Sequence, residues 1–202
     1  MDDFAQQTTD LIAAGALFHA RGWVPASGGN FSYRRDAQTL AITASGTHKG
    51  ELSPADLMSV DLQGQALEPG RRSSAETGLH TQIYRRLPET GAVFHTHSVA
   101  STCLSRQHDE IRLTGYELLK ILDGIDTHDT TVTIPVFEND QDIARLSAQV
   151  DAAMAAGRAL QGYLIRGHGL YAWGPTLALA RYRVEALEFL FQCEHQAGGM
   201  AR

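Results

Sequence analysis

The sequence predicts an α/β fold in which helices cover a largely antiparallel sheet. Short β-rich segments occur in neighbouring pairs, at 31–33 with 40–43 and at 163–165 with 170–173, a spacing typical of strands joined by tight connections. Segments with apolar residues at helical spacing lie among these pairs. Paired strands mixed with helices indicate a layered α/β domain with antiparallel pairing.

The elements predicted before residue 90 are a helix over 4–22, strands over 31–33 and 40–43, a helix start at 53–56, a strand over 58–62 and a helix between 74 and 88. The first helix has apolar residues at helical spacing and ends at a glycine. Ser53 before Pro54 provides the N-cap hydroxyl and first-turn proline of a helix start. In the last of these helices Leu79, Ile83 and Leu87 share one face until Pro88 ends it.

The elements predicted after residue 90 are a strand over 92–97, a strand over 131–137, a helix around 143–150, strands over 163–165 and 170–173, and a final helix over about 175–196. The strand over 131–137 is rich in β-branched residues. Pro135 within it indicates an edge strand or a strand end, because proline has no N–H to donate to a neighbouring strand. Ile143, Leu146 and Val150 recur at the spacing of an amphipathic helix.

The composition restricts the class of function. The 202 residues include 17 Lys and Arg against 23 Asp and Glu, a net charge of −6, and no repeat or linker divides them, so a single domain over 1–202 is expected. No basic cluster marks a nucleic-acid surface, and no apolar run approaches the ~20 residues of a membrane span. An acidic N-terminus instead of a basic signal segment favours a cytoplasmic protein. We therefore expect small-molecule chemistry or a protein partner.

Histidine is the best candidate for a metal ligand. The chain has nine histidines but two cysteines, Cys103 and Cys193, which are too far apart in sequence for a thiolate motif. His95 and His97 end an apolar strand, and the two-residue period places both imidazoles on one face. His168 lies between two glycines that leave it accessible. Three imidazoles from two strand ends would leave one position of a tetrahedral ion open, which is a catalytic arrangement.

The other six histidines have weaker claims. Three of them are expected at the surface or at its boundary, and two in solvated polar loops. One follows a suspected anion-binding loop and is a candidate neighbour of a ligand. The surface or boundary histidines are His19, His80 and His195, those in polar loops are His108 and His128, and the candidate ligand neighbour is His48.

Three segments combine small residues, hydroxyls and amide donors, as a phosphate dianion requires. They are S-G-G-N at 27–30, S-G-T-H-K at 45–49 and R-S-S at 72–74. Each alone is typical of an ordinary turn or helix cap. None matches the patterns of nucleotide-binding loops, so a nucleotide is not implied. Their occurrence together with the histidines favours a phosphorylated ligand.

Two carboxylates are candidates for proton transfer. Glu76 stands at the first turn of a predicted helix, where an acid also complements the helix dipole. Glu117 is the one acid in an apolar local run, and its alternative interpretation is a solvated helix residue. A carboxylate near a divalent cation and shielded from water can act as general acid or base.

These motifs together resemble the class II aldolase/epimerase family. The resemblance covers nearly the whole chain and rests on S-G-G-N-F-S at 27–32, I-T-A-S-G at 42–46, S-S-A-E-T at 73–77, G-A-V-F-H-T-H-S at 91–98 and G-Y-L-I-R-G-H-G-L-Y at 162–171. G-Y-E-L-L-K at 115–120 and E-N-D-Q-D-I at 138–143 resemble a dehydratase branch of the family. The resemblance implies a three-layer αβα sandwich and a homotetramer with active sites between subunits.

The resemblance also implies roles for individual residues. His95, His97 and His168 would hold one zinc ion per subunit, and the substrate phosphate would lie against Asn30, Ser45, Gly46 and Ser74. Glu76 occupies the position of the aldolases' acid/base, and Glu117 that of the dehydratases' proton donor and acceptor; Glu117 is the first choice here. The chain departs from the family's usual Ser-Ser-Glu at Ala75, so one phosphate hydroxyl is either missing or supplied by Ser73.

The implied activity is the zinc-dependent dehydration of a methylthio-substituted ketose 1-phosphate to a 2,3-diketone, in methionine salvage. Zinc bound to the carbon 2 ketone oxygen and the carbon 3 hydroxyl would acidify the carbon 3 proton. One alternative is aldol cleavage or epimerisation of a sugar phosphate of the fuculose or ribulose type, which needs the same two sites. A remote alternative is a non-catalytic adducin-like interaction domain. Such domains lose the histidines, whereas this chain keeps all three.

Overall fold

The computed structural model describes residues 3–156 and 160–200. The strands are β1 (Asn30–Arg34), β2 (Thr39–Thr43), β3 (Leu57–Asp61), β4 (Ala92–Thr96), β5 (Glu110–Thr114), β6 (Thr131–Phe137), β7 (Tyr163–Ile165) and β8 (Gly169–Gly174). They form an eight-stranded sheet in the order β3-β2-β1-β4-β8-β7-β6-β5. All neighbouring pairs are antiparallel except β6 with β7. The prediction of a mainly antiparallel sheet is confirmed.

Helices cover both faces of this sheet. The helices are α1 (Asp3–Ala20), α2 (Thr77–Arg86), α3 (Val99–Gln107), α4 (Ile143–Ala155) and α5 (Leu177–Met200). One apolar core joins the sheet to α1, α3 and α5, and a second joins its other face to α2 and α4. The implied three-layer αβα sandwich is therefore confirmed. No helix in the described ranges is both long and apolar enough to cross a membrane.

The central strand β4 has an alternating pattern that directs its histidine. Phe94 packs in the core beneath α1 and α5, whereas Val93 packs in the core beneath α2 and α4. His95 shares the face of Val93 because side chains on a strand alternate with a period of two. Asn30, at the start of β1, pairs directly with His95 across the ladder. The sheet topology thus brings both residues to one end of adjacent strands.

The same end of the sheet collects the ends of several other strands. Thr96 pairs with Leu170 near the start of β8, and Gly169 pairs with Ile165 at the end of β7. Ile165 in turn pairs with Phe137, the last residue of β6. The loops that follow β4, β6 and β7 therefore converge at this end.

Two elements and several boundaries differ from the predictions. The helix α3 and the edge strand β5 were not predicted, although Ile111 and Leu113 of β5 alternate with exposed residues as a half-buried strand requires. The strand β6 is not at the edge, and Pro135 stands opposite Glu110, near the point where β6 changes partner from β5 to β7. The predicted helix start at Ser53 forms only a single 3-10 turn, closed by a capping box.

Candidate active site and metal centre

Three histidines converge at this end of the sheet. The Nε2 atom of His95 lies 2.8 Å from Nε2 of His97 and 3.3 Å from Nε2 of His168. One ring nitrogen from each residue lies within 4.8 Å of the others, a group that can hold a metal ion. The sequence interpretation of H-T-H and G-H-G as one cluster thus agrees with the fold. The geometry of this triad is that of a candidate metal centre.

The strands on both sides of His95 approach it so closely that two neighbouring positions have no room for a Cβ atom. A Cβ atom on Gly169 would lie 1.9 Å from the carbonyl oxygen of Thr96. On the other side of β4, Gly29 has a φ of +76°, and a Cβ there would lie 2.5 Å from the carbonyl oxygen of His95. Glycine is required at both positions so that β1 and β8 can close on β4 and set the spacing of the histidines.

Hydrogen bonding prepares His95 to bind a cation, and burial keeps His95 and His97 neutral. The Nδ1 atom of His95 lies 2.9 Å from the Leu170 carbonyl oxygen, an acceptor that requires Nδ1 to carry the proton and leaves the Nε2 lone pair facing the cluster. Burial, reinforced by the neighbouring His97 and His168, holds the pKa of His95 well below its usual value. Burial also lowers the pKa of His97 to about 4. Both rings are therefore neutral at neutral pH, the state in which imidazole ligates metals.

Glu76 lies beside the triad and not at the surface. It occupies the N-cap position of α2, and its side chain is 16% exposed. Its Oε1 lies 3.2 Å from Nε2 of His168 and its Oε2 3.5 Å from Nε2 of His95. Asn30 donates from Nδ2 to Glu76 Oε2 at 2.6 Å and to Ser74 Oγ at 3.1 Å. The predicted acid/base candidate and two of the predicted phosphate ligands are therefore connected.

A cavity of about 450 Å³ opens in front of the triad. Its lining includes Glu76, His97, His168 and all four residues assigned to phosphate by resemblance, Asn30, Ser45, Gly46 and Ser74. Ala75 also lines it, whereas Ser73 forms an isolated bridge with Ala44 beside it. The three segments predicted to bind an anion, which are distant in sequence, thus meet at one cavity with the histidines.

Lys49 places a buried positive charge in the same cavity. Its Nζ donates to the carbonyl oxygens of Ser27 at 3.0 Å and Thr47 at 2.6 Å. Burial lowers the pKa of Lys49 to about 8, opposed by the Glu76 carboxylate. An ammonium group has three protons, so one remains for a ligand. The sequence placed Lys49 in an anion-binding segment but did not single it out.

Glu117 does not join the triad within one chain. It begins a 3-10 helix after β5, and its side chain is 74% exposed. Thr114, the last residue of β5, pairs with Thr131, the first residue of β6. The histidines lie at the other end of the sheet, where β6 ends, and the length of β6 puts about 20 Å between the two ends. A hydrogen bond from Lys120 lowers the pKa of the Glu117 carboxyl.

The remaining six histidines lie outside the triad, and His195 among them is half-buried. His19 and His108 are exposed and His128 lies in a polar loop, as expected. His48 packs against His19, with ring centroids 4.6 Å apart, instead of lining the cavity. The expectation that His80 lies at the surface is wrong, because its side chain is fully buried. The helix α2 is buried on almost every side despite its polar composition, so hydrophobic periodicity does not reveal this burial.

Two further buried residues contact strand β4 beside the site, and neither was predicted to take part. The ring of Tyr171 stacks on His95 with a centroid separation of 4.0 Å. On the opposite face of β4, Thr96 donates to Oε1 of the buried Glu188 at 2.5 Å. Burial raises the pKa of Glu188 to about 7. Both contacts join residues distant in sequence, which only the folded topology brings together.

The fold, the triad and the adjacent carboxylate define a member of the class II aldolase superfamily. The family model for the class II aldolase and adducin N-terminal domain matches residues 9–195, and the chain belongs to this family. The chain is 27% identical to the L-fuculose-1-phosphate aldolase of Thermus thermophilus, with a TM-score of 0.79 and coverage of 98% of both chains.

Two relatives with higher identity share one enzyme name. The chain is 52% identical over 195 residues to the methylthioribulose-1-phosphate dehydratase of Acidiphilium cryptum, covering 96% of this chain and 92% of that protein. It is 49% identical over 191 residues to the protein of the same name from Pseudomonas syringae pv. tomato, covering 94% of each. The predicted resemblance to the dehydratase branch is confirmed.

Proposed function

We propose that this protein dehydrates 5-methylthioribulose 1-phosphate to 2,3-diketo-5-methylthiopentyl 1-phosphate and water, as a hydro-lyase of methionine salvage. The observation that carries the proposal is the meeting of the histidine triad, Glu76 and the three anion-binding segments at one cavity. The chain has this site and is about half identical, over nearly its full length, to dehydratases named for this substrate.

Zinc is the proposed metal. A tetrahedral ion with zinc–nitrogen bonds of about 2.0–2.1 Å holds its ligand nitrogens about 3.3 Å apart. The separations of 2.8 and 3.3 Å between the Nε2 atoms of the triad are close to this value. Three imidazoles with an accessible fourth position are a donor set typical of catalytic zinc. When bound, the ion would act as a Lewis acid toward the substrate's ketone and adjacent hydroxyl.

The substrate phosphate is proposed to bind in the part of the cavity between β1, the loop after β2 and the start of α2. Ser74 supplies a hydroxyl donor there, Asn30 lies beside it with its two amide protons directed at Glu76 and Ser74, and Ser45 and Gly46 belong to the loop. Lys49 supplies the compensating positive charge. Carbonyl oxygens hold two of its three protons, so the third remains for the phosphate. Ala75 contributes no hydroxyl, so fewer hydroxyls face the phosphate than in the Ser-Ser-Glu pattern.

The carboxylates are proposed to move the protons. A carboxylate removes the carbon 3 proton, and an acid protonates the carbon 4 hydroxyl as it leaves as water. The resulting enol tautomerises to the 2,3-diketone. Glu76 is within reach of a ligand bound at the triad, since its oxygens lie 3.2 and 3.5 Å from two of the ligand nitrogens. It is positioned for one of the two transfers.

Glu117 is proposed for the other transfer, supplied by a neighbouring subunit. Within its own chain it lies at the opposite end of the sheet from the triad and is solvent-exposed, so it can act only in another subunit's site. This assignment requires the homotetramer with intersubunit active sites that the family resemblance implies. We also propose that residues 1–202 form a single catalytic domain and that the protein is cytoplasmic.

Product analysis tests the proposed reaction against its closest alternative. The zinc-loaded protein is incubated with 5-methylthioribulose 1-phosphate, and the products are followed by mass and by diketone absorbance. Dehydration gives one product lighter by one water. Aldol cleavage gives a short aldehyde and a triose phosphate instead, and that outcome would replace the dehydratase proposal with an aldolase.

A further inference from the structure

His80 is buried behind the active-site cavity. It lies on α2, one helical turn after Glu76, and its side chain is fully inaccessible to solvent. Its ring contacts Tyr171 at a steep angle, with centroids 5.6 Å apart. Tyr171 in turn stacks on the metal-ligand candidate His95. A polar ring in this position must have its hydrogen-bonding groups satisfied inside the protein.

Both ring nitrogens of His80 have partners. Nδ1 lies 2.7 Å from Ser32 Oγ, which lies 3.0 Å from the Tyr84 hydroxyl. Nε2 makes a short hydrogen bond with Oδ1 of Asn30. Asn30 is the residue whose amide nitrogen contacts Glu76 and Ser74. A continuous chain of hydrogen bonds therefore leads from Tyr84 to the active-site carboxylate.

The chemistry of the partners fixes the direction of this chain. An amide oxygen only accepts, so Nε2 of His80 carries the proton and donates to Asn30. Burial lowers the pKa of His80 to about 3, so the ring holds a single proton and Nδ1 accepts from Ser32. The Ser32 oxygen then accepts from the hydroxyl of Tyr84.

We propose that His80 is a positioning residue: its Nε2–H fixes the amide orientation of Asn30, which holds Glu76 toward the triad and keeps Asn30 in the phosphate site. In the opposite orientation the amide oxygen of Asn30 would face the Glu76 carboxylate, and its nitrogen would face the N–H of His80. Two acceptors would then oppose one another at Glu76, and as long as Nε2 of His80 keeps its proton two donors would oppose one another at His80. The catalytic consequence of this role rests on the proposed dehydratase function.

Two substitutions at the same buried position separate positioning from packing. His80→Gln keeps an N–H donor near Nε2, whereas His80→Leu has a similar volume and no donor. We expect His80→Leu to lower kcat about tenfold or more and to raise KM, and His80→Gln to recover most of both losses. Zinc content and unfolding temperature are measured for both variants. Equal activity of the two variants at equal stability would overturn the proposal.

A double-mutant cycle tests whether His80 acts through Asn30. In an Asn30→Ala background, His80→Leu should change kcat less than about twofold, because the orientation it protects no longer exists. Fully additive effects would show that His80 acts by another route.

The tautomer of His80 is measured without any substrate. Long-range ¹H–¹⁵N spectra of the wild-type protein should show a neutral His80 ring with its proton on Nε2 across the neutral pH range. A proton on Nδ1 would overturn the inference even if the protein is an active dehydratase. A wild-type protein with the predicted tautomer and no dehydratase activity would instead contradict the proposed function alone.

Discussion

Glu76 Oε1 lies 3.2 Å from Nε2 of His168, on the cavity side of the histidine triad. The carboxylate is therefore adjacent to the position at which a ligand of the metal would bind. Asn30, paired with His95 across the β1–β4 ladder, donates to this carboxylate. The acid/base candidate, the candidate metal ligands and the proposed phosphate site thus share one hydrogen-bonded framework, and each can be tested separately.

Glu76→Gln should abolish most activity without loss of metal. The amide has a similar shape but cannot accept a proton, and loss of a general acid or base typically costs about 10²–10⁴-fold in rate. We expect kcat to fall at least about 100-fold while zinc content stays at the wild-type level. Glu89→Gln, at an exposed position in the loop after α2, is the matched control and should be fully active. Loss of zinc from Glu76→Gln would assign the residue to the metal instead.

Mixed oligomers test whether Glu117 acts in a neighbouring subunit. Glu117→Gln and His95→Ala should each be inactive alone. If one site combines a triad from one subunit with Glu117 from another, coexpressed variants recover about a quarter of the sites by random assembly. The recovery is measured as kcat per subunit after the oligomers are isolated. Failure to recover any activity in oligomers shown to contain both variants would exclude a role for Glu117 across the interface.

Gly169→Ala should disrupt the metal site through the backbone. The added Cβ would lie 1.9 Å from the carbonyl oxygen of Thr96, the residue between His95 and His97. Forcing β8 away from β4 should lower the free energy of unfolding by more than about 2 kcal/mol and weaken zinc binding. Gly198→Ala in α5, where nothing lies within 4 Å of the added Cβ, is the control and should be neutral or stabilising. Denaturant unfolding and zinc titration measure the two effects; wild-type values for Gly169→Ala would show that the strand spacing is not needed.

Glu188 should give the fold a pH dependence. Its pKa rises from 4.5 to about 7 on burial, so the folded state keeps a proton that the unfolded chain releases. Its stabilising contribution is therefore complete below about pH 4.5 and is lost as the pH rises through about 7. The metal-free wild type should lose about 3 kcal/mol relative to Glu188→Gln across this interval. Parallel stability curves for the two proteins would show that Glu188 has an ordinary pKa.

The triad is the part of the site that local patterns reveal best. The two-residue period of a strand puts His95 and His97 on one face, and the flanking glycines mark His168 as accessible. That these residues meet follows from the adjacency of β4 and β8, which no local pattern specifies. The phosphate segments are predicted in the same way, each from its own turn chemistry, and the topology brings them to one cavity.

The contributions that the sequence does not reveal depend on contacts between distant elements. His80 appears polar on a polar helix, yet α2 is buried between the sheet and α4, so its role depends on Ser32 and Asn30 of β1. The sequence does not reveal the burial of Glu188 for the same reason, since its partner Thr96 is on the distant strand β4. The role proposed for Glu117 requires contacts between subunits, and it stays a prediction.

Water loss as a function of metal occupancy is the most direct measurement of the central claim. Wild-type protein depleted of metal and reloaded with graded amounts of zinc is incubated with 5-methylthioribulose 1-phosphate, and the product lighter by one water is quantified. The rate should rise in proportion to bound zinc, and His95→Ala and His168→Ala should neither retain zinc nor form the product. Dehydration by the metal-free protein, or at wild-type rates by either histidine variant, would contradict a dehydratase centred on this triad.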